Sequence, residues 1–307
     1  MLDGKTLLIV NPAARHGEGA VIAMRAERLL RRRLGDDLTM LLTTRSGHAC
    51  ELAAAAATYG TVIALGGDGV VHEVVGGLME VPAGRRPVLG VIPAGSGNDY
   101  AGAIGMGQAL EEAVVQLETA PRRIADVGVC NGVPFMETLS FGLDAAIALD
   151  TIERRERTGA TGLPLYLQSG IDQLLHHLGS YRLEARFGGD RRSLEVVLCA
   201  VQVGPTYGGG FRVCPDARFD DGLLDVCIAH APVGTLKAGL VFLCAKSGRH
   251  RRFREIESFQ ARTATLEFAS PLPVQIDGEP LSGTRYEVSI EPSALSVIAP
   301  DGSCFTR

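Results

Sequence analysis

The sequence predicts two domains. Residues 1–123 read as an α/β domain with a parallel sheet and helices on both faces, and residues 124–292 as a mainly antiparallel β-sandwich. A cleft is expected between them, and residues 293–307 are expected to form a tail that packs back on the first domain. Three observations support this. Short apolar runs alternate with helical patterns through the first third, the signature of βαβ units. Hairpin dipeptides then take over, at Asn131-Gly132 and Gly188-Gly189. The length of 307 residues is enough for two ordinary cores.

The first strand is predicted over 6–10, and a helix over 20–34 with Val21, Met24, Leu29 and Leu30 inward. The exposed run Arg31-Arg32-Arg33 at that helix's end suits the dipole and reads as solvated surface. A strand over 38–42 precedes an alanine-rich helix running to Tyr59. The apolar run 61–65 reads as a buried strand, and Val70, Val71, Val74, Val75 and Leu78 form one stripe of the helix that follows. A strand over 88–92 and a helix over 108–118 complete this half. In the second half, helical segments between 145 and 178 break at Gly159, Gly162 and Pro164. Strands are predicted over 181–187, 194–202, 223–229, 265–268, 274–276 and 286–290.

Composition narrows the class. The apolar fraction of 46% and charged fraction of 21% are those of a soluble globular protein, expected in the cytoplasm. A net charge of −5 gives no pull toward nucleic acid. The seven cysteines are scattered and read as reduced core residues, neither zinc ligands nor a disulfide frame. The apolar run 238–245 is too short to span a bilayer. With the basic segment 249–254 it could rest on an anionic membrane or be a core helix with a charged end; the core helix is the favoured reading. His176-His177 reads as a surface pair, and Gly17-Glu18-Gly19 as too little of a dinucleotide fingerprint to carry weight.

The chain is organised around Gly66-Gly67-Asp68-Gly69, between a buried strand and a helix N-terminus. Glycine lets backbone approach a ligand, and the first helical amides favour an anion. Asp68 would repel a bare phosphate but suits a nucleotide's metal; the alternative is a tight turn with a capping Asp. A second strand-end loop, Pro93 to Asp99, falls at the same sheet edge, where ligands of such sheets bind.

Taken with Phe141-Gly142-Leu143-Asp144-Ala145, Asp220-Asp221-Gly222-Leu223-Leu224-Asp225 and Asp277-Gly278-Glu279, these loops resemble the diacylglycerol kinase catalytic-domain family. That family includes sphingosine and bacterial lipid kinases and is more distantly related to NAD kinases. The resemblance implies transfer of the γ-phosphoryl of ATP, with Mg2+, to a lipid hydroxyl, most simply that of diacylglycerol. It implies peripheral contact with a membrane surface and leaves open a homodimer. On the nucleotide side it implies Asn11, Thr43, Gly66, Gly67, Asp68, Gly69, Val70, Val71, His72, Glu73, Ser96 and Asn98. It implies a magnesium held by the backbone oxygens of Arg218 and Leu223 and the carboxylate of Asp221. Glu279 is the first choice of catalytic base and Asp277 the second, with Asp68 positioning metal or acceptor. Three positions depart from the family pattern: Arg15 for glycine, Val70 for threonine and Ser96 for threonine. Two rival readings are an NAD kinase-like enzyme acting on a soluble alcohol and a non-catalytic nucleotide- or lipid-binding regulator.

Overall fold

The computed structural model describes residues 2, 4–13, 19–300 and 304–306. Arg15 and the Gly17-Glu18 pair therefore lie outside the described residues. The chain forms two compact units: residues 1–127, 219–221 and 292–307 in the first, 128–218 and 222–291 in the second.

In the first unit, β1 (Thr6–Val10), β2 (Leu38–Leu42), β3 (Thr61–Gly66) and β4 (Val88–Pro93) pair in parallel in the order β2-β1-β3-β4. Helices α1 (Gly19–Leu34), α2 (His48–Ala54), α3 (Asp68–Glu80), α4 (Asp99–Ala103) and α5 (Leu110–Thr119) connect or follow them. β1, β3 and β4 are buried along their whole length, which is why they read as unbroken apolar runs. The α3 stripe is as expected, with Val70, Val71, Val74, Val75 and Leu78 buried.

Two helices differ from the sequence reading. In α1 the buried residues are Gly19, Ala23, Ala26 and Leu30, while Val21 and Met24 face solvent. The small side chains at 23 and 26 let that face pack closely, so hydrophobicity alone misassigns the inward side. Helix α2 ends at Ala54 and not Tyr59, closing with turns in which Ala55 N–H donates to Glu51 O and Ala56 N–H to Ala53 O.

The second unit is antiparallel. After β5 (Arg122–Cys130) come β6 (Val133–Phe135), β7 (Thr138–Gly142), α6 (Leu143–Thr158), α7 (Leu163–His176), β8 (Tyr181–Phe187) and β9 (Asp190–Gln202). Then follow β10 (Leu224–His230), α8 (Thr235–Ala245), β11 (Ile256–Ala261), β12 (Thr263–Phe268), β13 (Val274–Ile276), β14 (Glu279–Pro280) and β15 (Arg285–Ile298). β5 up to Val127 and β15 from Pro292 belong to the first unit. The long β9 pairs with β8 and then β7 along one edge, and with β10 along the other. Both hairpin dipeptides are turns: Cys130 pairs with Val133 and Phe187 with Asp190. β15 runs eight residues past the predicted end at 290, because Pro292 and the positive φ of Ser293 bend the strand without ending it. Its first part pairs with β12, and Val297 pairs in parallel with Leu89 of β4.

Phe219–Asp221, inside the stretch assigned by sequence to the second domain, belongs to the first unit. Phe219 is fully buried against Tyr100 and Phe305, at ring-centroid distances of 5.4 and 5.5 Å. Among the described residues, no helix is long and apolar enough to cross a membrane.

Candidate active site

Parallel pairing aligns the carboxyl ends of the strands in the first unit. Val10 is level with Leu42 and Leu65, and Gly66 with Pro93. Asn11, Thr43, Gly67 and Ala94 therefore leave one edge together, where Asn11 N–H donates to Leu65 O, Thr43 N–H to Val10 O and Ala94 N–H to Gly66 O. The two glycine loops touch: a Cβ on Gly95 would lie 2.4 Å from the Gly67 Cα. Gly95 admits no side chain without prising the loops apart, and Gly67 is nearly as tight, with 3.0 Å between its Cβ position and the Gly95 Cα. Val70 and Val71 N–H close onto Gly67 O, and the Asp68 and Gly69 amides stand at the start of the helix, where leading N–H groups have no acceptor within the helix itself.

The side chains assigned to the nucleotide divide by role. Asn98, at φ 57°, accepts from Gly95 N–H at 2.7 Å and donates to Gly95 O and Gln108 Oε1 at 3.1 Å each, so it shapes the loop. Glu73 accepts from Gly47 N–H at 2.8 Å and Ala49 N–H at 3.0 Å, fastening the start of α2 to α3. Asn11 Oδ1 accepts from Ala13 N–H at 2.9 Å. Val70 is buried over Gly66, where its methyls occupy the space a side chain would take. His72 and Glu73 are half-buried, while Gly69 and Ser96 are exposed at the edge.

Asp68 accepts from the Tyr100 N–H at 3.2 Å and from the amides of Asn98 and Asp99. Burial and the Asp99 carboxylate push it up to about 6, against those three amides. Asp99 is the residue that sequence reasoning passed over. The signal was present, since two loops on adjacent parallel strands bring their acids together, but it requires the strand order.

This yields a first prediction. A carboxyl raised in the folded state favours folding most below its unfolded value of about 3.8, and loses that contribution as pH rises through about 6. Asp68→Asn removes the penalty. In EDTA the variant should be more stable than wild type at pH 8, by roughly 1–2 kcal/mol, and no more stable at pH 4. Thermal melts at the two pH values measure this, and equal differences at both would contradict the assignment.

In the second unit, Asp277-Gly278 is a two-residue turn between β13 and β14, with φ of 47° and 92° and Ile276 paired to Glu279. Asp277 is buried. Its Oδ1 accepts from Glu137 N–H at 3.0 Å and Thr138 N–H at 2.9 Å, and its Oδ2 from Met136 N–H at 2.9 Å. Gln275 completes the clamp, accepting from Gly278 N–H at 2.6 Å and donating to Ser140 Oγ at 2.8 Å. Asp277 is thus spent on the backbone, whereas the Glu279 side chain is exposed with no hydrogen bond or ion pair among the described residues. Asp144, at the start of α6, is buried and accepts from the Tyr207 hydroxyl; burial raises the pKa of both groups.

In the Asp220-Asp221 segment, Asp220 accepts from Thr306 N–H at 2.7 Å and from the Thr306 hydroxyl at 2.5 Å. Asp221 is half-buried beside Gly222, whose φ is 70°. Carboxylate and carbonyl oxygens are the donor types that a hard divalent cation takes. Among the described residues, no group of three or more His, Cys, Asp or Glu side chains could hold a metal. All seven cysteines are free thiols. A shallow surface depression lined by Glu184, Arg186, Arg191, Thr265, Glu267 and Arg285 contains none of the residues assigned to the site.

The chain thus joins a parallel sheet whose strand ends carry paired glycine loops to an antiparallel unit. Two family models match: "Diacylglycerol kinase catalytic domain" over residues 5–130, and "YegS C-terminal NAD kinase beta sandwich-like domain" over 137–299. The chain belongs to the diacylglycerol kinase catalytic-domain family. A curated relative from Chromohalobacter salexigens, named "Probable lipid kinase YegS-like", is 34% identical over 98% of this chain and 95% of its own. A relative of the same name from Pseudomonas aeruginosa PAO1 is 32% identical, over 99% and 97%. A solved structure from Bacillus anthracis str. Sterne shares the fold with a TM-score of 0.80 at 24% identity, covering 97% of this chain and 98% of that one. Another from that organism, described as a diacylglycerol kinase, gives 0.75 at 22%, covering 97% of each.

Proposed function

We propose that the protein is an ATP- and Mg2+-dependent lipid kinase that transfers the γ-phosphoryl to the hydroxyl of diacylglycerol or a similar lipid. The observation that carries this reading is the pair of touching glycine loops at one edge of the parallel sheet, one of them leading directly into the N-terminus of α3. The first amides of that helix and the loop backbone would take the triphosphate, beside Asn11, Thr43 and Ser96. Glu279 would accept the proton of the lipid hydroxyl as it attacks phosphorus, since it is the acid of the hairpin with free lone pairs. Asp277 becomes a positioning residue. Magnesium at Asp221 and the carbonyls of Arg218 and Leu223 would supply charge neutralisation that stiffens the turn. The protein would act in the cytoplasm, touching its membrane from one side.

The rival is phosphorylation of NAD or another soluble alcohol, a reading the name of the second family model keeps in view. Incubation with γ-labelled ATP and either mixed neutral lipids or NAD separates the two. The expected result is label in the organic phase with the lipids and none with NAD. Label confined to a water-soluble product would overturn the lipid reading, and no label with either acceptor would leave a binding protein.

A further inference from the structure

We propose that α7 and α8 form a docking surface for an anionic lipid bilayer, an inference that rests on the lipid-kinase reading for its purpose but not for its observations. Helix α8 buries only Ala238 and Ala245. Its leucines point the other way: Leu236 is 94% exposed, Leu240 52% and Leu243 60%. At spacings of four and three residues they form one outward stripe, the reverse of a helix that merely covers a core. The core-helix reading of 238–245 thus accounts for one face alone.

Helix α7 packs on α8 through Phe242, whose ring stacks with Tyr166 at 6.1 Å and sits so close over Gly170 that a Cβ there would lie 2.5 Å from it. α7 also turns an i, i+4 pair to solvent, with Ile171 56% and Leu175 62% exposed. Single exposed leucines are ordinary, but two packed helices that both present apolar stripes are an interaction surface.

Charge identifies the occupant. From Ala231 to Arg254 the chain has no Asp or Glu and six Lys or Arg. Lys237 and Arg254 pair with Glu255, and Arg251 with Asp216. Arg249 and Arg252 are exposed and have no ion pair among the described residues. An outward leucine stripe followed directly in the chain by exposed arginines matches acyl chains beneath anionic headgroups. A second copy is a poorer match, because a two-fold contact sets the same patch against itself and brings basic segments together. With no helix able to cross a bilayer among the described residues, the contact is interfacial.

The test is flotation of the full chain, without ATP or magnesium, on phosphatidylcholine vesicles and on about 7:3 phosphatidylcholine–phosphatidylglycerol vesicles. Wild type is expected to float with the anionic vesicles. The triple variant Leu236→Gln, Leu240→Gln, Leu243→Gln should lose about tenfold or more in partition. Arg249→Gln with Arg252→Gln should weaken binding to the anionic vesicles alone and flatten its salt dependence. All five positions are exposed, so both variants should melt like wild type and phosphorylate detergent-dispersed lipid equally well. A triple variant that floats like wild type overturns the proposal. So does a wild type that stays off anionic vesicles, or a wild-type dimer that the triple variant dissolves in sedimentation. Loss of phosphorylation on dispersed lipid in every protein, with flotation intact, would instead overturn the kinase reading and leave the surface standing.

Discussion

Glu279→Gln will lower kcat by about two to four orders of magnitude while leaving ATP affinity and Tm at their wild-type values. The size follows from what a positioned general base contributes to proton transfer, equivalent to roughly 3–5 kcal/mol of transition-state stabilisation. The selectivity follows from the structure. Glu279 is exposed on a two-residue strand and its side chain makes no hydrogen bond or ion pair among the described residues, so the amide removes a base and no contact. Steady-state rates, nucleotide titration and a thermal melt on one preparation give all three quantities. An unchanged kcat would remove Glu279 from the mechanism, and a lowered Tm would show a structural role that the hairpin geometry does not contain.

Asp277→Ala has the opposite profile: it costs folding first. Three backbone amides, those of Met136, Glu137 and Thr138, end on the Asp277 carboxylate. Truncation leaves them without acceptors at a buried site, at about 1–3 kcal/mol for each group that finds no water. Alanine at a φ of 47° adds about 1 kcal/mol. A total near 4 kcal/mol corresponds to a Tm lowered by roughly 10 °C for a unit of this size. Asp277→Asn is the informative companion. Its amide oxygen can still take the Glu137 and Thr138 amides, while its NH2 faces the Met136 N–H, so about a third of the loss is expected. Calorimetry of both variants checks the ordering. If both melt like wild type and only activity falls, Asp277 is the base and Glu279 is not.

The regular parts of the fold were legible because their signals are local. Buried parallel strands appear as unbroken apolar runs at 6–10, 61–66 and 88–93, and the α3 stripe repeats at helical spacing. Asn131-Gly132 and Asp277-Gly278 are turns because both residues of each pair take positive φ. What stayed hidden depends on partners far along the chain. Glu73 lies on the helix that follows the glycine loop, and that it also takes the amides of Gly47 and Ala49 is invisible in the sequence. Asp277 and Glu279 are equivalent acids in the sequence and differ only because the first meets residues 136–138. Asp68 acquires its raised pKa from burial and from an acid 31 positions later. An apolar helix such as α8 does not announce which of its faces will be covered, and neither does α1, whose valine and methionine face solvent while its alanines face inward.

The measurement that bears most directly on the account is the identity of the phosphorylated product. Wild type and Glu279→Gln would be incubated with ATP, magnesium and a panel of neutral lipids, the products being resolved by mass. The account predicts a lipid that gains one phosphate in the wild-type reaction, with diacylglycerol the leading acceptor, and a yield cut about a hundredfold or more in the variant. No phosphorylated lipid from wild type, or equal yields from the two proteins, would contradict it.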